Sequence, residues 1–205
     1  MVFELDTKLF NSPKILWEQA SSSFLERNHL PEITGAWKLM LLGDGSPTRH
    51  LQLLTKKETK IKLIGMNYDP LSTTNIPKEV NQLEKPLIRR QVWIHNDQTT
   101  LAWAESWWNS KQVDINLSNE KEPIWKNLTK DRSELFREVD TLSLVDSEWL
   151  QEEFSFKGPF WSRNYRFFRN KKPLTIIREV FNPVLEKWLG DSRINLFINL
   201  CSPSS

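Results

Sequence analysis

Two oppositely charged residues stand inside apolar strand-like runs. In "LIRRQVWI", residues 87–94, a strand's two-residue alternation places Arg90 on one face among isoleucine and valine side chains. In "PLTIIREVF", residues 173–181, the same alternation places Glu179 between an isoleucine and a phenylalanine. Because a buried charge is costly unless it is paired or hydrogen-bonded, both residues need a partner.

Two interpretations of this pattern are open. Arg90 and Glu179 could form a buried ion pair, although such pairs are seldom net stabilising. Alternatively, both line one pocket, where Arg90 binds a carboxylate through its planar fork and Glu179 handles a hydroxyl group or a proton. Their neighbours Arg89 and Arg178 fall on the opposite strand faces, and Arg89 is expected to be exposed.

Two predicted helix starts add candidate anion sites. Ser46 caps a helix that Pro47 begins, which leaves the backbone N–H of Thr48 free at the positive end of the helix. Pro123 begins a second helix in the same way, with a free N–H at Ile124. Helix N-termini bind anions, but most are only structural, so either site taken alone favours the structural role.

Metal and nucleophile chemistry find little support. His29, His50 and His95 are scattered without the spacing of metal ligands. The single cysteine, Cys201, has no evident histidine partner, and no glycine-rich phosphate loop is present. We therefore expect no metal and no cofactor.

The elements that position these residues are predicted to form an α+β fold with a single antiparallel sheet of about six strands and flanking helices. The linkers "NDQT" and "RNKK" predict two hairpins. Strands are predicted at 60–68, 86–95, 100–108, 160–168 and 173–181. Helices are predicted at 12–27, 31–42, 183–189 and from residues 46 and 123 onward. The stretch 109–159 is the least clear, with helical structure expected around "DSEWLQEEF".

Length and composition limit the number of domains and the kinds of partner that the chain can have. A chain of 205 residues predicts a single domain, with a helical segment at 1–34 and a C-terminal extension at 184–205. The net charge of +2, without a basic run, argues against a nucleic-acid partner. No apolar run reaches the ~20 residues of a membrane helix, and no signal peptide is evident. We expect a cytoplasmic monomer whose partner is a small molecule.

Four motifs taken together resemble the chorismate lyases (chorismate–pyruvate lyases), especially the branch of cyanobacteria and algal plastids. They span residues 35–183, in the order of the family, and each is weak alone. The motifs are "LLGDGSPTRHL", "LIRRQVWI", "EPIWKNL" and "FWSRNYRFF…KKPLTIIREVFNP". The chain departs from the family's pattern at Pro47, at Trp125 in place of a glycine, and in the extension beyond Pro183.

The resemblance implies a fold, an activity and a site. The family has one antiparallel sheet enclosing a covered pocket, and it removes pyruvate from chorismate to leave 4-hydroxybenzoate, a precursor of ubiquinone or plastoquinone. No cofactor is required. Arg90 and Glu179 match the family's arginine and glutamate, and Ile124 matches its leucine. Ser46, Pro47 and Thr48 match the family's first motif.

A second carboxylate on chorismate needs its own partner, for which Arg163 and Arg166 are candidates. The competing function is a non-catalytic sensor domain of related fold. Such domains normally follow a helix-turn-helix segment, and the roughly 34 residues before the resemblance are too few and not basic enough for one.

Overall fold

The fold is seen in a computed structural model, which describes residues 9–26, 33–69, 74–97, 99–117, 119, 122–129 and 134–194. Seven strands are present: β1 Lys14–Ala20, β2 Lys60–Tyr68, β3 Leu87–Asn96, β4 Thr99–Asn109, β5 Phe136–Asp146, β6 Phe160–Arg169 and β7 Lys172–Phe181. The described α-helices are α1 Ser21–Glu26, α2 Gly35–Leu42, α3 Pro47–Thr55, α4 Ser110–Asn116, α5 Ile124–Leu128, α6 Glu148–Phe154 and α7 Glu186–Leu189. Two 3-10 helices are Lys78–Gln82 and Pro183–Leu185.

All strands belong to one antiparallel sheet in the order β1-β5-β6-β7-β4-β3-β2. The two predicted hairpins, β3–β4 and β6–β7, are confirmed and lie next to each other through the β4–β7 pairing. In the second hairpin Asn170 and Lys171 both have positive φ, as a two-residue turn that matches the strand twist requires. The predicted sheet of about six strands therefore has seven.

The first predicted helix, 12–27, is wrong over most of its length. Residues Lys14–Ala20 form β1, with alternating exposed and half-buried side chains, and only Ser21–Glu26 are helical. The apolar residues of this segment fit both the 3.6-residue repeat of a helix and the two-residue repeat of a strand. Pairing with β5 decides in favour of the strand. The predicted N-terminal helical segment therefore contributes an edge strand to the sheet.

Most of the other predicted helices are confirmed with shifted starts. The second begins at Gly35, where the Thr34 side chain accepts a hydrogen bond from the Trp37 amide at 3.3 Å, and Pro31 lies outside the described residues. The last begins as a 3-10 turn at Pro183 and ends before Gly190, whose φ of +79° suits glycine. Residues 195–205 of the predicted C-terminal extension, including Cys201, also lie outside the described residues.

The sheet is covered on both faces. One face packs against α2, α3, α4 and α5 through two apolar clusters, one around Trp37 and Leu51 and the other around Trp108 and Phe167. The opposite face carries a cluster of aromatic side chains around Trp103 and Phe160 with α6. The candidate site lies between the two clusters of the first face. None of the described helices is long and apolar enough to cross a membrane.

Candidate active site

A narrow cavity of about 40 Å³ lies between the sheet and the first turns of α3 and α5. Six of the seven residues predicted for the site line it: Ser46, Pro47, Thr48, Arg90, Ile124 and Glu179. Residues that are 55 or more positions apart in the chain, such as Pro47 and Ile124 on the two helices and Glu179 on β7, thus meet at one place. The cavity has room for about three water molecules.

Arg90 and Glu179 stand on the same face, two strands apart. Arg90 on β3 is opposite Ser106 of β4, and Glu179 on β7 is opposite Ala104 of β4. With strands about 4.8 Å apart and a two-residue offset along them, the Cα atoms of Arg90 and Glu179 are roughly 12 Å apart. Their charged ends can therefore bracket the two ends of a ring that lies between them.

The Arg90 side chain is fixed at the wall of the cavity. It is 2% exposed, and its Nη2 donates to the backbone carbonyl of Glu122 at 3.2 Å. That carbonyl lies just before α5, so the guanidinium and the start of α5 are held together. Ile124 and Thr48 then bring two helix N-termini to the same cavity, and each offers N–H groups to an anion.

The Glu179 carboxylate is buried and accepts two hydrogen bonds. Arg163 Nε donates to its Oε2 at 2.8 Å, and the Tyr165 hydroxyl donates to its Oε1 at 2.8 Å. Among the described residues, the ion pair of Glu179 is with Arg163, so the interpretation of a mutual Arg90–Glu179 pair is wrong. Each carboxylate oxygen accepts more than one hydrogen bond, which leaves capacity for a ligand.

Arg163 lies behind Glu179 rather than on the cavity wall. It is fully buried, and its Nη1 donates to the carbonyls of Met40 at 2.7 Å and Gly43 at 3.0 Å. Arg163 therefore balances the charge of Glu179 and anchors it to the end of α2. The other candidate for a second carboxylate, Arg166, is on the opposite face and donates to Asp140 at 3.0 Å.

Tyr165 and Arg137 line the cavity but were not predicted. Burial, with a further contribution from the negative charge of Glu179, raises the pKa of Tyr165, so the phenol keeps its proton and donates a hydrogen bond to the carboxylate. Period-two alternation from Arg163 could have identified Tyr165. Arg137 lies on β5, in the stretch where no hairpin signal was present.

The opposite face holds a second group of buried charges. Arg89, expected to be exposed, is 4% exposed, and its Nε donates to Glu105 at 2.9 Å. Arg178 is fully buried and pairs with the other oxygen of Glu105 at 3.3 Å. The segment before β1 covers this face, since Ser12 also donates to Glu105. The predicted placement of Arg178 opposite Glu179 is confirmed.

An outer cleft of about 630 Å³ adjoins the cavity and shares Ser46, Trp125, Arg137 and Phe167 with it. His50 lines the cleft. Burial, followed by the positive charges of Arg163 and Arg137, lowers its pKa below the usual value, so it is neutral at pH 7. Among the residues that the structure describes, no group of three or more His, Cys, Asp or Glu side chains could hold a metal ion.

The chain is similar in sequence to a known family and to proteins of algae. A family model described as "Chorismate pyruvate-lyase Rv2949c-like" matches residues 41–189. The "Uncharacterized protein ycf21" of Cyanophora paradoxa is 34% identical over 84% of this chain and 90% of its own length. The protein of the same name from Porphyra purpurea is 37% identical over 74% of this chain and 83% of its own.

A solved structure shares the fold. The effector domain of PhnF from Mycobacterium smegmatis superposes with a TM-score of 0.53 at 9% sequence identity, covering 70% of this chain and 92% of that domain. At so low an identity this likeness shows the fold alone. The single antiparallel sheet with helices packed on it is therefore shared beyond recognisable sequence similarity.

Proposed function

Because the chain belongs to the chorismate pyruvate-lyase family, we propose that it is a lyase that eliminates pyruvate from chorismate to give 4-hydroxybenzoate. The observation that carries the proposal is the cavity itself, which a buried cation, Arg90, and a buried carboxylate, Glu179, line from positions two strands apart. The product has a carboxylate at one end of its ring and a hydroxyl group at the other, which matches this pair.

The substrate binds with its ring carboxylate on Arg90. The planar guanidinium suits a carboxylate, and the helix N-termini at Thr48 and Ile124 add positive potential on the same side. The 4-hydroxyl then lies near Glu179 and donates a hydrogen bond to it. Arg163 and Tyr165 keep this carboxylate in place, so the ring is oriented at both ends before reaction.

The reaction is a 1,2-elimination across two ring carbons. The C4–H bond breaks, its electron pair becomes the new C3–C4 π bond, and the C3–O bond breaks with its electrons on the enolpyruvate oxygen. Enolpyruvate then takes a proton on its methylene carbon to become pyruvate. Formation of the aromatic ring drives the step, so the protein mainly orients the substrate and excludes water.

Glu179 is assigned the C4 proton in this scheme. Its carboxylate lines the cavity and is held there by the ion pair with Arg163. A positioned carboxylate of this kind contributes roughly 10²–10⁴-fold to rate. The reaction draws on the side chains of the cavity, without a cofactor.

The proposal also covers the use of the product, 4-hydroxybenzoate, in the synthesis of quinones. The family resemblance implies that 4-hydroxybenzoate supplies the ring of plastoquinone or ubiquinone. The expectation of a cytoplasmic monomer, which comes from the composition of the chain, is a separate part of the proposal. The relatives from Cyanophora paradoxa and Porphyra purpurea support the cyanobacterial and plastid branch.

Incubation of the purified protein with chorismate tests the lyase directly. We expect 4-hydroxybenzoate and pyruvate to appear in equal amounts, above the slow background measured with heat-denatured protein. Background amounts of both products, together with tight binding of an aromatic acid, would refute the lyase and favour the sensor function.

A further inference from the structure

The inner cavity is too small for the whole proposed substrate. Chorismate carries a ring with one carboxylate and an enolpyruvyl ether with a second carboxylate, whereas about 40 Å³ corresponds to only about three water molecules. The outer cleft begins at the same wall, at Ser46, Trp125 and Arg137. A ring seated between Arg90 and Glu179 therefore extends its ether substituent toward this cleft.

Arg137 stands at the junction of the cavity and the cleft in a fixed orientation. Its guanidinium carbon lies 4.6 Å from the ring centre of Tyr165 and 4.5 Å from that of Phe167. Its Nη1 donates to the carbonyl of Gly45, just before α3. Stacking on two aromatic rings holds the planar fork in place, so that binding an anion costs little further ordering.

Arg137 has no carboxylate partner among the described residues, whereas three other arginines of the sheet do. Arg163 pairs with Glu179, Arg166 with Asp140 and Arg178 with Glu105. Arg137 forms no such ion pair there, and its buried Nε has no hydrogen-bond partner within the described part of the chain. A half-buried cation without a carboxylate partner, at the boundary of the cavity and the cleft, is suited to an anionic ligand.

The charges around the cleft also favour an anion. Arg49 and Arg137 line it together with one acidic residue, Asp44. His50 lines it as well and adds a hydrogen-bonding ring. Two arginines against one carboxylate leave a positive cleft next to the cavity, which attracts a dianion more strongly than a monoanion.

We propose that Arg137 is the binding residue for the second carboxylate of the substrate, that of the enolpyruvyl group, at the mouth of the outer cleft. This inference rests on the proposed function and assigns to Arg137 the role that sequence analysis offered to Arg163 or Arg166. Two arginines on one face thus divide the recognition of a dicarboxylate: Arg90 holds the ring carboxylate, which the product keeps, and Arg137 holds the carboxylate that leaves with pyruvate.

Steady-state kinetics on Arg137→Gln test this division. A charge-assisted hydrogen bond to a carboxylate corresponds to roughly a 10- to 100-fold change in affinity, so we expect KM for chorismate to rise by that factor. The dissociation constant of 4-hydroxybenzoate should stay within about twofold, because the product has lost this carboxylate. Arg137→Lys should recover part of the loss, and Arg166→Gln, on the opposite face, should leave both constants unchanged.

A binding measurement with an unreactive probe separates this inference from the lyase activity. The aromatic dicarboxylate 3-(1-carboxyvinyloxy)benzoate cannot eliminate, and benzoate lacks its second carboxylate. By calorimetry the wild type should prefer the dicarboxylate about 10-fold or more, and Arg137→Gln should lose the preference. This result would support the subsite even if chorismate were not converted. An unchanged preference in Arg137→Gln, or no preference in the wild type, would overturn the inference while leaving measured lyase activity intact.

Discussion

Replacement of Glu179 by glutamine separates its chemical role from its structural one. Glutamine keeps the shape of the side chain and removes the negative charge. Its amide oxygen can accept the hydrogen bond from Arg163, and its NH₂ group can donate to the Tyr165 oxygen if the phenol hydrogen turns away. The hydrogen bonds at the site can thus be satisfied, and the main losses are the ion pair and the proton acceptor.

The expected loss of stability follows from the burial of this ion pair. Arg163 is fully buried and Glu179 is 2% exposed, and removing one partner of such a pair costs about 3–5 kcal/mol. Because glutamine keeps the hydrogen bonds, we expect the lower end, about 3 kcal/mol. At roughly 2–4 °C per kcal/mol for a chain of this size, the melting temperature should fall by about 6–12 °C.

The expected loss of activity is larger than misfolding can explain. Turnover per folded molecule at a temperature well below the melting point should fall by roughly 10²–10⁴-fold. The affinity for 4-hydroxybenzoate should change much less, since the amide still bonds the hydroxyl group and Arg90 still holds the carboxylate. A loss confined to turnover marks an interaction made in the transition state.

Arg178→Gln is the matched control for this experiment. Arg178 is equally buried and ion-paired with Glu105, and it is next to Glu179 in the chain but on the opposite face of the sheet. The Arg178→Gln variant should lose a comparable amount of stability and keep the turnover of the wild type. If Glu179→Gln also kept wild-type turnover per folded molecule, Glu179 would be a structural member of an ion pair and the proposed chemistry would be refuted.

Three further predictions concern single groups of the site. Arg90→Ala should weaken binding of 4-hydroxybenzoate by about 2–5 kcal/mol in calorimetry while the protein stays folded by circular dichroism; normal binding would make Arg90 structural. The chain has two tyrosines, so Tyr68→Phe leaves Tyr165 alone; because the pKa of Tyr165 is raised by burial, no phenolate absorbance should appear until the protein unfolds. The pKa of His50 is lowered in the folded protein, so the unfolded chain binds more protons and stability should fall as the pH drops below about 6.5; melting temperatures of His50→Gln should fall less over that range, and identical pH profiles would contradict this.

The centre of the sheet was predictable because its signals are local. In both hairpins an alternating apolar run meets a short polar turn, and a charge inside such a run is evident from the sequence alone. This is why Arg90 and Glu179 were found together with their shared face. The helix starts at Pro47 and Ile124 were equally local, since a proline in the first turn marks the N-terminus of a helix.

The edges of the sheet depend on contacts between distant segments. β1 pairs with β5, which lies more than 100 residues later, and β5 contains a register shift between Val139 and Thr141 that interrupts its alternation. β1 does not pair with the next strand in the chain, and β5 is joined to β6 through α6 rather than through a short turn, so no turn signal marks either strand. Arg137 was missed for this reason, because its face could not be assigned without its strand.

The sequence pattern of the strands also did not show that the sheet face carrying Arg89 and Glu105 is buried. Arg89 was expected in solvent because one covered face was assumed, but the segment before β1 covers the other face and Ser12 reaches Glu105. Similarly, alternation places Arg163 on the face of Glu179, but only the packing of α2 shows that its donors are used by Met40 and Gly43. Alternation assigns the face of a side chain, and packing decides its partners.

A crystal structure with 4-hydroxybenzoate tests most directly whether Arg90 and Glu179 together form the ring site. We expect the ring in the inner cavity, with its carboxylate within hydrogen-bonding distance of the Arg90 guanidinium and its hydroxyl group on the Glu179 carboxylate. A ring bound elsewhere, or bound in the cavity with its carboxylate directed away from Arg90, would contradict the account.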